Sequence, residues 1–115
     1  MAHRTPAKRK RWPPTNSELE RLIAEATIDA YGESEQRTAF YTMIETNLAA
    51  PFDVEVLGVV CTADRVDLTR DDRIVAIVKR GRLRQAIDVL DLPIPKPPPS
   101  GTEWIEAFRV WSRGY

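Results

Sequence analysis

The stretch FYTMIETNLAAPFDVEVLGVV, residues 40–60, holds the boundary on which the fold turns. On its N-terminal side Phe40, Met43, Ile44 and Leu48 recur at the spacing of one face of an α-helix. Past Pro51 the period drops to two. Phe52, Val54 and Val56 alternate with Asp53 and Glu55, which puts apolar side chains on one face of a strand and carboxylates on the other. Proline closes the helical side because it brings no backbone N–H and its ring clashes with the preceding turn. Helices before Pro51 and a sheet after it are therefore expected.

Working upstream, Ser17 and Glu20 have the spacing of a capping box. Leu19, Leu22, Ile23, Ala26 and Ala30 follow at helical spacing and predict an amphipathic helix over 18–31, closed by Gly32. A second helix is expected over about 34–48. Downstream, the apolar run continues through Leu57, Val59 and Val60, while Val66 and Leu68 suit a second short strand. Ile74 to Val78 reads as a buried strand, and Lys79-Arg80-Gly81-Arg82 as the turn into Leu83 to Val89. So few residues make a small antiparallel sheet, and its most natural closure is a five-strand SH3-like barrel.

Five of the nine prolines fall within residues 93–99, which must then be extended and bridge the sheet to a last element. Ser100 and Glu103 repeat the capping-box spacing, and Trp104, Phe108 and Trp111 lie on one face of a short helix. So many aromatics demand that this helix dock on the rest of the protein. The expected fold is α+β: two N-terminal helices, a small antiparallel SH3-like barrel or sheet, and a short C-terminal helix.

Composition narrows the function. The chain has 115 residues, 43% of them hydrophobic and 30% charged, enough for one domain with its own core. Its net charge of zero conceals an asymmetry. Residues 1–11 carry five Lys/Arg and no acid, leaving 12 Lys/Arg against 17 Asp/Glu, a net of −5, in residues 12–115. A basic, disordered tail over 1–16 and a single mildly acidic domain over 17–115 are expected. No apolar run approaches a membrane span, and no apolar stretch follows the basic N-terminus as a secretory signal requires. Cys61 is the sole cysteine, which excludes an internal disulfide and suits a cytoplasmic setting; it reads as an inert buried thiol.

Catalytic chemistry finds few parts. The only histidine, His3, sits in the tail, so neither a Ser-His nor a Cys-His pair can form in the body. One cysteine and one distant histidine make no zinc site, and no glycine-rich phosphate loop is present. A non-enzymatic protein is expected. Carboxylates are the abundant functional group, and calcium is the cation that takes six to eight hard oxygens. Asp29, Glu33 and Glu35 flank the turn at Gly32, while Asp64, Asp67, Asp71 and Asp72 gather near a loop without the EF-hand pattern. Against a site, acids at helix ends are commonly solvated, and Glu18, Glu25 and Asp29 share a helical face with Arg21 as an ion-paired surface would.

Asp29-Ala30-Tyr31-Gly32-Glu33-Ser34-Glu35-Gln36, the helix through Phe40 to Leu48, and the Pro51-Phe52 entry into a strand occur in an order that resembles the CcbP-like calcium-binding family. Val89-Leu90-Asp91-Leu92 and Trp104 to Trp111 are similar to that family's closing strand and helix, so the likeness spans roughly residues 22–113. The resemblance implies a small α+β protein that binds calcium through carboxylates outside any EF-hand, in buffering or homeostasis. By position it assigns the ligand role to Asp29, Glu33 and Glu35, with Glu45, Asp53 and Glu55 as further candidates. The basic tail and the mildly acidic body are this chain's own departures from the family pattern.

An alternative rests on charge. Lys79, Arg80, Arg82 and Arg84 form a basic hairpin, and Lys8-Arg9-Lys10-Arg11 stands beside Trp12. Together they suit a nucleic-acid backbone, the partner of many small barrels. Pro95 and Pro98 have the spacing of a proline-rich peptide ligand, or of a plain spacer. A monomer or weak oligomer that uses no membrane is expected in either case.

Overall fold

A computed structural model describes residues 12–114. Two helices, α1 (Asn16–Thr27) and α2 (Glu33–Asn47), lead into strands β1 (Phe52–Val56), β2 (Val59–Leu68), β3 (Ile74–Arg80) and β4 (Leu83–Asp88), and helix α3 (Thr102–Ser112) closes the chain. The strands form one antiparallel sheet in the order β1-β2-β3-β4. The layout is α+β with helices at both ends.

The capping box forms two residues earlier than its sequence pattern suggested. The Thr15 hydroxyl accepts from the Glu18 N–H (3.2 Å), and Glu18 Oε1 accepts from the Thr15 N–H (2.9 Å). Both boxes satisfy the same motif; the earlier one sits directly after Pro13-Pro14 and extends the helix by half a turn. At its other end α1 stops at Thr27 rather than 31, where the Ala30 N–H folds back onto Thr27 O (3.1 Å). Gly32, with φ 90° and ψ 158°, then begins α2 instead of ending α1, a backbone conformation open only to glycine.

Leu57 and Gly58, both with positive φ, make a two-residue hairpin turn, so the apolar run through Val60 is two strands rather than one. Val59 begins a ten-residue β2 that absorbs the expected short strand at Val66 and Leu68, with a bulge between Ala63 and Arg65. A second two-residue turn at Gly81-Arg82 joins β3 to β4.

The sheet is open, not closed into an SH3-like barrel. Closure needs a fifth strand, and residues 93–99 cannot supply one because each proline withholds a ladder N–H. The inner face is covered by other means. Leu92 fills the space over Val54, Ala63, Ala76 and Val78, while the three helices cover Val66 and Ile74.

Helix α3 docks as the aromatic spacing demands. Phe40, Phe108 and Trp111 form a ring cluster with centroids 5.4–5.8 Å apart, Trp104 is buried, and the Trp111 indole N–H donates to Gln36 Oε1 (3.0 Å). The Ser100–Glu103 box does not form. Gly101 starts the helix in the left-handed region, φ 93°, where an added Cβ would strike the backbone of Asn47 and Leu48. The tight crossing of these two segments selects the glycine.

Candidate functional site

Residues 28–32 carry the chain from α1 to α2, and the carboxylates there divide between two clefts. The first, about 520 Å³, lies between α1 and α2 and is lined by Glu25, Asp29, Ser34, Glu35 and Thr38 above an apolar floor that includes Ala26 and Met43. Among the described residues no Lys, Arg or His lines it. Glu25, in the last turn of α1, and Asp29, two residues past its end, both line it. Glu35 turns back toward the bend, and its Oε2 accepts from the Tyr31 N–H (2.9 Å). Gln36 Nε2 donates to Ala30 O (3.2 Å) and holds the same bend from the other side.

The second cleft, about 470 Å³, lies where α2 meets the β2–β3 turn and is lined by Glu33, Ser34, Arg37, Asp71, Asp72 and Arg73. Ser34 Oγ donates to Asp72 Oδ2 (2.7 Å), which ties the two turns together. Charge here is mixed. Glu33 pairs with Arg37 (3.1 Å), while Arg73 lies within 3.3 Å of Asp88, which does not line the cleft. The Thr69 hydroxyl and the loop backbone both donate to the Asp71 carboxyl and hold it below its usual range.

Of the residues singled out from sequence, Asp29 and Glu35 therefore share one cleft, and Glu33 belongs to the other. Glu45 lies further along α2 and accepts from the Tyr41 hydroxyl (2.9 Å). Partial burial, and then that carboxylate, raise the Tyr41 pKa. Asp53 and Glu55 are exposed on β1, in register with Thr62 and Val60. Among the described residues no group of three or more His, Cys, Asp or Glu is spaced to hold a metal ion as the side chains stand.

Glu25 was read from sequence as part of an ion-paired face with Arg21, yet neither it, Arg21 nor Asp29 makes an ion pair among the described residues. Its four-residue offset from Asp29 is the signal that marks it as a cleft residue.

The basic hairpin is partly engaged already. Lys79 pairs with Asp64 (3.4 Å), and Arg80 Nη1 donates to Val60 O (3.0 Å); Arg82 and Arg84 are exposed. The tail cations at positions 1–11 lie outside the described residues. Cys61 is half-buried rather than buried, with Sγ 3.6 Å from Val59 O. No helix among the described residues is long and apolar enough to cross a membrane. No family model, no curated protein and no solved structure matches this chain.

Proposed function

We propose that this chain is a small calcium-binding protein that takes the ion weakly in the α1–α2 cleft, through Asp29 and Glu35 together with Glu25, and acts as a buffer rather than a catalyst. The observation that supports this reading most is the lining of that cleft, three carboxylates and two hydroxyls with no basic side chain among the described residues. Calcium needs six to eight oxygens at about 2.3–2.6 Å and tolerates irregular geometry. Because the three carboxylates are not spaced to close on one ion as they stand, water must fill much of the shell and the carboxylates must swing inward. Both costs fall on affinity, which places the expected Kd in the range of about 10⁻⁴–10⁻³ M that loosely built sites reach. The ordered resemblance to the CcbP-like family supports the same ion. Glu33 is left out of the set because Arg37 already neutralises it.

Calorimetric titration with calcium, and with magnesium as the control, tests the proposal. Wild type should bind calcium in that range, and the variant Glu25→Gln/Asp29→Asn/Glu35→Gln should lose at least about tenfold, while Glu33→Gln should not. Calcium at ten times Kd should also stabilise the fold by about 1.4 kcal/mol. No heat at about 10 mM calcium, or a folded triple variant that binds like wild type, would sink the reading.

A further inference from the structure

The sheet has two free edges, and they carry opposite charge. Val89 N–H donates to Ile74 O (3.0 Å), which makes Val89 and Ile74 a hydrogen-bonded pair. Such pairs alternate along an antiparallel ladder, so Ile87 and Gln85 also turn their backbone groups to β3, while Arg84 and Ala86 turn theirs to the open edge. On β1 the two-residue turn makes Val56 and Val59 a hydrogen-bonded pair, and the same alternation sends the N–H and C=O of Asp53 and Glu55 outward. Among the described residues no backbone hydrogen bond outside the sheet occupies these four positions.

The side chains at those positions complete the contrast. Asp53, Thr62, Lys79 and Arg84 are register neighbours in turn across the four strands, so the acids of one edge and the arginine of the other share a face. Asp53, Glu55, Arg82 and Arg84 are exposed and make no ion pair among the described residues. Leu83, on the opposite face, is 76% exposed. An edge strand with unpaired backbone groups is a template for another strand, and charge is the usual device that selects which strand it accepts.

We propose that this chain associates with a second copy of itself, the β1 edge of one adding antiparallel to the β4 edge of the next. Setting Glu55 opposite Arg84 places Asp53 opposite Ala86, so all the outward-facing backbone groups meet and a carboxylate faces a guanidinium. The same register sets Val56 against Leu83 and Phe52 against Ile87 on the other face, which covers the exposed leucine. Pairing β1 with β1 would set acids against acids, and pairing two β4 edges would gather their arginines. The contact is head-to-tail, so each added copy leaves one free edge of each kind and association continues beyond a pair. It uses neither cleft and stands independently of calcium.

Sedimentation velocity from about 10 μM to about 1 mM protein at low salt tests this. Mean mass should rise above 13.1 kDa with concentration, and about 0.5 M salt should reverse the rise, since exposed charges are screened beyond a few ångströms there. Glu55→Arg and Arg84→Glu should each stay monomeric alone, and an equimolar mixture should associate again, because each intact or reversed edge then finds its complement. Ala86→Pro removes an outward N–H without touching the β3 ladder, and it should also stay monomeric with its fold intact by circular dichroism. A wild type that remains monomeric at about 1 mM overturns the proposal, as does association indifferent to both charge reversals.

Discussion

Replacing Arg109 by methionine should cost about 3 kcal/mol of stability, although the residue is only half-buried on α3. Its guanidinium makes four bonds. Nε and Nη2 donate to Val89 O at 3.0 and 2.7 Å, Nη2 donates to Leu92 O at 2.6 Å, and Nη1 meets Glu106 at 2.8 Å. Val89 and Leu92 are buried core residues at the exit from β4, so one side chain fastens that exit to α3. Methionine keeps most of the stem's packing and removes every donor. Two carbonyls left without a partner cost about 1–3 kcal/mol each. The lower half of that range applies, because the side chain is 19% exposed and water can reach part of the gap. Urea unfolding followed by tryptophan fluorescence gives the difference, read as a lower midpoint at unchanged slope. Arg109→Lys should recover about half at most, since a single ammonium on a differently shaped side chain replaces three nitrogens that together serve Val89 O, Leu92 O and Glu106. Glu106→Gln should stay within about 1 kcal/mol, because the carbonyls keep their donors and the ion pair is near the surface. If Arg109→Met unfolds within about 1 kcal/mol of wild type, the fastening role assigned to this residue is wrong.

Two further outcomes follow from local geometry. Gly101→Ala should destabilise by about 3 kcal/mol or more in the same urea assay, combining a left-handed backbone cost of about 1–2 kcal/mol with a clash against the Asn47 backbone that only a shift of α3 relieves; Gly58→Ala, with open space around it, should show only the backbone part. The Thr69 hydroxyl and the loop backbone depress the Asp71 pKa, so the stability this carboxylate contributes is present above its unfolded value of 3.8 and is lost as pH falls below it. Asp71→Asn should therefore flatten the acid side of the melting-temperature profile below about pH 4 and leave the neutral side unchanged.

What the sequence determined by itself is whatever a local period encodes. The change from helical spacing to alternation at Pro51-Phe52 places helices before and strands after, and the Trp104, Phe108, Trp111 stripe requires a docked last helix, because neighbours along a chain set which face is apolar. The charge of each edge was equally plain, acids at Asp53 and Glu55 and arginines at Arg82 and Arg84. Only the tertiary structure decided what those residues meet. It left the sheet open, because the proline segment cannot pair, and it let Leu92 and the helices cover the inner face instead. It sent Glu33 to Arg37 and away from Asp29 and Glu35, since residues two apart on α2 face different sides of the helix. It brought Arg109 under carbonyls twenty and seventeen residues away, and it put β1 and β4 at the two rims with their outward backbone groups beside opposite charges. Contacts of that kind depend on how distant segments close on one another, and no period in the chain records it.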